Sequence, residues 1–557
     1  MKRITYVFIF QFLLFWSYAQ KCVDPEVISV DKISFVLNEL ASERFQGRYP
    51  GSQGDSIAVA FIVDQLKEIG LIPMGEAGNY TQPFTVKLQV KISDNTLIKS
   101  RKAVVKPSEQ VYPTRFSDNG KVKGRLIAPV FTLKNSALTV EEPRKVRKKI
   151  AVVDLYGLKE LYQSQGLDFK TFKIQDLIQL LKDYKVKGLL LTSTKVSGVP
   201  VPERFFETQE PVGLPVWYVS KDLIEGLQKL KRIKVITQIY ENQVTTYNIA
   251  GYWENGAPYT FIIGAHYDHL GMGDKNSTYR GEPQIHPGAD DNASGVAGAM
   301  ALANYIAEFG NRNFNYLFLF FGAEEQGLLG SKHWVSNPTY PMEKITAMLN
   351  FDMIGRLGDD RNLKISGTGT MPEWENAFRQ LPCYNITYQL SRGGRGPSDH
   401  TSFYNQNIPV LHFFTGLHPD YHKPSDIPAR INIFGIRDVV ALSASLIEYL
   451  DQLPQPLTFT PTDDQQESRP VRLSVTMGIM PGYNSDNKGL EVEGVTKGKP
   501  ADKAGIIKGD YIVKIGNMPI RNIRDYMEAL SQYEKGDTAP VQILRAEKIL
   551  EVNVLFE

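Results

Sequence analysis

Cysteine is almost missing from this chain: Cys22 and Cys383 are the only two in 557 residues. That scarcity excludes a disulfide-built scaffold and a thiolate metal site, while leaving one bridge between the two open. An excess of charge of one sign is missing as well, with 63 Lys+Arg against 61 Asp+Glu. Without Lys2 and Arg3 the balance is even, so there is no electrostatic case for a nucleic-acid partner or an anionic membrane surface. The basic run "PRKVRKKI" at 143–150 reads as a solvated edge before a strand. The N-terminal apolar run "ITYVFIFQFLLFW" is too short to cross a hydrocarbon layer of ~30 Å comfortably. It follows Lys2-Arg3 and precedes Ser17-Tyr18-Ala19, the pattern of a secretory signal cleaved after Ala19. The expectation is a secreted or periplasmic protein without a membrane anchor. Gln20-Lys21 ahead of Cys22 rule out a lipoprotein, because small residues are needed there.

What is present is an ordinary globular composition, 42% hydrophobic and 22% charged, in a chain long enough for roughly three or four domains. No repeat of 20–50 residues is visible. Residues 20–120 include the stretch "DSIAVAFIVDQLKEIGL", whose Ala58, Phe61, Ile62, Leu66 and Ile69 recur at helical spacing. Residues 121–245 change to short strands around one helix, "IQDLIQLLKDY", and read as an inserted domain. Residues 246–453 alternate apolar runs of strand length with helical stretches: "TFIIGAH", "NYLFLFFGAEE", "ITAMLNFDMIG" and "IPVLHFF". Near-continuous apolar strands separated by helices predict an α/β fold with a mainly parallel sheet covered on both faces. A polar linker at 454–470 leads to a small unit at 471–557.

All eight histidines (266, 269, 286, 333, 400, 412, 418 and 422) fall between residues 266 and 422. Each apolar run there ends in a group that binds metal or moves protons. His266 and Asp268 follow the first, Glu324-Glu325 the second and Asp352 the third; "GADDNASG" opens a helix, and "YHKPSD" follows the fourth run. In an open parallel sheet ligands bind beyond the carboxyl ends of the strands, so these groups should converge. One at a time they are weak signals, since Glu pairs decorate surfaces and Asp-Asp-Asn commonly caps a helix. Five at successive strand ends point to a site. Imidazole and carboxylate without thiolate suit catalytic zinc, and two histidines with three carboxylates hold two ions if one carboxylate bridges. Glu324-Glu325 can supply a ligand and a base side by side. Asp268, two residues from His266 on a strand, shares its face and is expected to accept the imidazole's other N–H.

Taken together, "GAHYDH", "PGADDNASG", "FGAEEQGLLGS", "NFDMIG", "SDHTSF" and "YHKPSD" resemble the co-catalytic di-zinc exopeptidases. That family includes secreted bacterial aminopeptidases, glutamate carboxypeptidase and the transferrin receptor ectodomain. The resemblance extends to "LASERFQGRYPGSQGDSIAVAFI" near the N-terminus. It implies a zinc-exopeptidase phosphorylase/hydrolase-like core holding two Zn2+ per chain. One ion would take His266 and Asp352, the other Glu325 and His422, with Asp291 bridging and Asp290 its non-ligating neighbour. Glu324 becomes the general base and acid, Asp268 the support of His266, and the Asp291–Asn292 bond is expected to be cis. Tyr421 is a candidate oxyanion donor. Asp399 and His400 are placed behind the ligands. Arg392 and Arg395 read as loop cations that keep contact with a substrate carboxylate open, and the remaining histidines as structural or surface groups.

The inserted segment resembles a protease-associated domain. The last unit resembles a PDZ domain through "GLEVEGV", "PADKAGIIKGDYIVKIG" and the helix "IRDYMEAL", with "MGIM" at 477–480 as the carboxylate cradle. The functional expectation is a secreted metallo-exopeptidase acting on peptides, an aminopeptidase first. A carboxypeptidase or dipeptidase of the same family, an inactive peptide-binding homologue and a glutaminyl cyclase-like enzyme are the alternatives.

Overall fold

A computed structural model describes residues 22–556 except 109, 196–198, 200, 203–209, 231, 275, 280, 311–312, 463–474, 482–488 and 522. The proposed signal at 1–19 lies outside the described residues. The core is a nine-stranded mixed sheet. Its principal strands are β1 (Thr81–Ile92), β2 (Ile239–Trp253), β3 (Tyr259–His266), β4 (Phe314–Phe321), β5 (Ile345–Phe351), β6 (Asn362–Ser366), β7 (Thr387–Ser391) and β8 (Val410–Phe414). The central four, in the order β4-β3-β5-β8, are all parallel. β2 flanks them antiparallel on one side, and β6 does so on the other. The apolar runs that predicted this sheet are buried along most of their length: every residue of β4, "FNYLFLFF", is buried. That is the pattern expected of strands covered on both faces.

Helix α1 (Val30–Leu40), α2 (Gln53–Ile69), α3 (Gly295–Phe309) and α5 (Ile433–Asp451) contribute to one core cluster with the sheet, while the short α4 (His400–Tyr404) lies against the other face. In α2 the buried residues Ala58, Val59, Ile62 and Leu66 lie on the expected face, and Phe61 and Ile69 pack at its margin. Ser52 caps its N-terminus, and Gly70, at φ 92°, ends it in the left-handed region that glycine tolerates. α3 is sequestered nearly all round, which its Gly and Ala residues permit: a Cβ on Gly298 would come within 2.6 Å of Ile354 Cδ1. Cys22 and Cys383 form a disulfide with their Cα atoms 6.0 Å apart, tying the start of the described chain to the loop after the helix at Pro372–Gln380.

The inserted lobe is larger than its sequence suggests. β1 and β2 pair antiparallel along nearly their whole length, so the chain leaves the core on one and returns on the other. Strands at Leu97–Lys99 and Val104–Val105 join the lobe's four-stranded sheet, and Val111–Pro113 joins its five-stranded sheet. Strands from before residue 121 thus take part in the lobe's sheets. These strands are two or three residues long and carry no alternating pattern, which is why composition placed them in the core. The C-terminal unit forms its own sheet around Met477, Leu490, Val492, Ile512, Ile515, Tyr526, Val541 and Val554.

Candidate metal centre

The strand ends converge as expected. β3 delivers His266, the turn after β4 delivers Glu324 and Glu325, and the residue after β5 is Asp352. Asp291 comes from the loop before α3, and His422 from the segment after β8. Three of the turns pass through the left-handed region at non-glycine residues: Ala323 (φ 56°), Met353 (φ 54°) and His422 (φ 56°). Such conformations cost free energy and cluster at functional sites.

Asp291 lies between two imidazoles. Its Oδ1 is 3.3 Å from His266 Nε2, and its Oδ2 is 3.2 Å from His422 Nε2. His266 Nε2 is also 3.4 Å from Asp352 Oδ1, and His422 Nε2 is 3.1 Å from Glu325 Oε2. Two donors on one tetrahedral ion with bonds near 2.0–2.1 Å stand roughly 3.3 Å apart, so both triads have the spacing of ligands around an ion. The second nitrogen of His422 is committed elsewhere, Nδ1–H donating to Asn276 O at 2.8 Å. Its buried Nε2 is left to face the carboxylates of Asp291 and Glu325. That pairing fixes the tautomer a metal-bound imidazole needs.

Charge balance points the same way. Asp268, Asp291, Glu324, Glu325 and Asp352 are all buried or nearly so, and burial of like charges is tolerated only when something opposite neutralises them. With protein groups alone, the imidazoles carry that burden. Burial opposes the charged form of His422, yet Glu325 and Asp291 push its pKa up to about 12. Glu325 falls to about 2 because His422 outweighs burial, and Asp291 is held well below the carboxylate range by its bonds to His266 and His422. Glu324 behaves oppositely: burial, with Asp399 and Asp352 nearby, drives it well above the usual value despite His266. The two adjacent glutamates are therefore electrostatically distinct. The donor set fits two divalent ions.

Asp290 points away from this cluster. Its Oδ1 accepts from Gly355 N at 2.7 Å and its Oδ2 faces His418 Nε2 at 3.1 Å. The Asp291–Asn292 peptide is cis. Asn292 then binds the end of β5, donating to Phe351 O at 2.9 Å and accepting from Met353 N at 3.1 Å, on either side of Asp352. Asp268 lies beside His266, but its Oδ1 is 3.7 Å from Nδ1, which faces the Asp268 backbone oxygen at 3.3 Å. The carboxylate's nearer partner is Glu324 N, at 2.9 Å, with Glu325 N at 3.4 Å. Asp268 thus fixes the turn that carries both glutamates more firmly than it holds the imidazole.

A cavity of about 150 Å³ opens over the cluster, lined by His266, Asp291, Glu324, Glu325, Asp352 and Tyr421 on the metal side. Met353, His412, Phe414 and Arg395 form part of its remaining wall. Tyr421 stacks on His422 with ring centroids 3.8 Å apart. Asp399 is wholly buried and raised to about 7, by burial before any other cause; His400 stacks on His412 at 4.5 Å. Arg392 bonds Glu375 and is exposed, away from the cavity. Arg395 reaches the wall, its guanidinium over the Tyr404 ring at 5.1 Å and its Nε donating to Asn405 Oδ1.

Three supporting residues escaped the sequence reading. Arg48, completely buried, donates to the carbonyls of Leu40, Tyr267, Pro287 and Gly288, joining the N-terminal segment to the loops on both sides of the ligands. Asp426 accepts from Asp290 N and Asp291 N at 2.9 and 3.1 Å. His269, assigned to structure or surface, lies inside the cluster with Nδ1 2.7 Å from Glu325 Oε1. Only its place three residues after His266 hinted at this.

Residues 248–447 match the model of peptidase family M28, and residues 471–555 that of the PDZ domain. The leupeptin-inactivating enzyme 1 of Streptomyces exfoliatus is 32% identical over 208 residues, 37% of this chain and 43% of that one. An aminopeptidase of Pseudomonas aeruginosa is 30% identical over 37% of this chain and 38% of its own length. The chain thus spans less than half the length of these curated relatives. Among solved structures, the aminopeptidase from Aneurinibacillus sp. strain AM-1 aligns with 79% of this chain and 98% of that one at 19% identity and a TM-score of 0.47. The cluster of His266, Asp291, Glu324, Glu325, Asp352 and His422 thus lies within the residues that match the peptidase family M28 model, and the PDZ match follows it toward the C-terminus.

Proposed function

We propose that this protein is a secreted zinc-dependent exopeptidase that removes N-terminal residues from peptides. The observation that carries the reading is the pair of donor triads sharing Asp291, with Glu324 beside them at the cavity floor. His266 and Asp352 would hold one zinc, Glu325 and His422 the other, and Asp291 both. The pair would supply a water acidified toward neutral pH and a polarised substrate carbonyl. Glu324, as the carboxylate beside the two ions, would take the water's proton and return it to the departing amine. Tyr421, on the cavity wall, would donate to the developing oxyanion.

Two observations support an aminopeptidase over a carboxypeptidase. Several relatives are named aminopeptidases. The arginines that would grip a C-terminal carboxylate are engaged elsewhere, Arg392 with Glu375 and Arg395 with Tyr404 and Asn405. The Cys22–Cys383 bridge suits an oxidising compartment and supports secretion. The inserted lobe is assigned the protease-associated role. In the PDZ domain the strand Ile479–Pro481 pairs on one side only among the described residues, leaving an edge where an extended peptide adds as a strand.

The test is mass spectrometry of a mixed peptide pool, with and without a metal chelator. Chelator-sensitive ladders shortening from the N-terminus are expected. Ladders shortening from the C-terminus would replace the reading with a carboxypeptidase, and an unchanged pool with metal bound would refute peptidase activity.

A further inference from the structure

His269 is the one imidazole of the cluster whose spacing does not match a shared ion. The four ligand contacts across the two triads fall between 3.1 and 3.4 Å. His269 Nδ1 approaches Glu325 Oε1 to 2.7 Å and stays 3.9 Å from Asp291 Oδ2. The ligating atoms of His269, Asp291 and Glu325 lie within 4.8 Å of one another, so proximity alone would make His269 a metal ligand. The separations argue otherwise. Two donors on one tetrahedral ion stand roughly 3.3 Å apart, whereas 2.7 Å is the length of a charge-assisted hydrogen bond.

We infer that His269 is a positioning residue: its Nδ1–H holds Glu325 Oε1, so that Oε2 alone is turned toward His422 and the second metal. This rests on the two-metal reading above. The orientation follows from the contacts of Glu325, whose Oε2 is the oxygen 3.1 Å from His422 Nε2. The tautomer follows as well, because Nδ1 facing a carboxylate oxygen must carry the proton. Nε2, buried without a partner, is then a bare acceptor, less costly to leave unmade than an orphaned N–H would be to hide. The ring is closely packed. It is wholly inaccessible, and Gly288, at φ 56°, lies so close that a Cβ there would come within 2.5 Å of His269 Cδ2. Hydrogen bonds to the free oxygen of a ligating carboxylate commonly change metal affinity by ~10–100-fold. A bond that makes Glu325 monodentate acts on one ion and spares the other.

Asparagine can place an amide nitrogen near the position of Nδ1, glutamine near that of Nε2, and alanine neither. The experiment is a chelator-competition zinc titration of wild type, H269A, H269N and H269Q, with thermal melts for folding. Wild type should bind two zinc ions. H269A and H269Q should bind one as tightly as wild type and the other ~10–100-fold more weakly, both sites still filling at saturation, and H269N should return to within about threefold. Wild-type-like affinities in H269A would overturn the inference. So would loss of one ion at saturating zinc in both H269A and H269N, which would make His269 a ligand. If H269A does not fold, H269Q against H269N decides: equal affinities overturn the clamp. A wild type that binds fewer than two ions would remove the two-metal reading and this inference with it.

Discussion

In the core, parallel strands end in His266, Glu324-Glu325 and Asp352; in the inserted lobe, the parallel strands Ile150–Asp154, Gly188–Thr192 and Val216–Val219 end in Asp154, Thr192 and Val219. Both regions place polar groups where the geometry of parallel sheets collects ligands. Their surroundings differ. Asp154 accepts from Tyr156 N and Thr194 N, each at 3.1 Å, and from Thr194 Oγ1 at 3.0 Å. Its oxygens are satisfied by the turn they close. Asp291 meets imidazole nitrogens, and Glu325 meets imidazoles and the Asp291 charge. A strand-end acid saturated by local N–H and O–H donors is structural, whereas acids packed against one another and against imidazoles form a donor set that fits a cation.

The sharpest break of this contrast is Asp291→Ala. It removes the one carboxylate common to both triads, so no more than one tightly bound zinc per chain is expected by elemental analysis, and turnover should fall at least as far as for any other single change. Two equivalents retained would refute the bridge. Glu324→Gln comes next and separates binding from chemistry. Its neighbour Glu325 is untouched, so both ions should stay, while loss of the proton carrier lowers kcat by ~10²–10⁴-fold. Substantial turnover in the metal-loaded variant would remove Glu324 from the reaction.

How much of this was legible in the sequence follows from the same distinction. The central strands announced themselves because burial on both faces leaves an unbroken apolar run, as in Phe314–Phe321. The clustered acids and histidines announced themselves because each run stopped at one of them. The choice between Asp290 and Asp291 was not in the pattern; it came with the family resemblance, and its physical basis is the loop that aims Asp290 at Gly355 and His418. Arg48 was invisible because its four acceptors are backbone carbonyls, which leave no mark on side-chain identity. The early strands of the lobe were invisible for a related reason. Leu97–Lys99 is held by ladder bonds to Ile233–Thr237, well over a hundred residues away, and three residues cannot display a period.

Asp154→Ala is the counterpart in the lobe and the smallest of these effects. Asp154 caps the helix Leu155–Ser164 and fastens Thr194 across the strand end. Loss of such a cap costs about 0.5–2 kcal/mol. For a unit of this size that is a fall of about 2–4 °C in Tm per kcal/mol, read by calorimetry. Zinc content should not change, and activity on short peptides should stay within about twofold of wild type, because the residue lies in a separate sheet with its own core. Asparagine at 154 should recover most of the loss, since its side-chain oxygen still accepts at the cap. A neutral Asn that restores stability would show that position 154 needs an acceptor and not a charge. At position 291 the same Asp→Asn change should fail, because there the charge is what both imidazoles face and what the two proposed ions would require. If Asp291→Asn kept both zinc ions at wild-type affinity, the distinction between the two strand ends would collapse to hydrogen bonding alone.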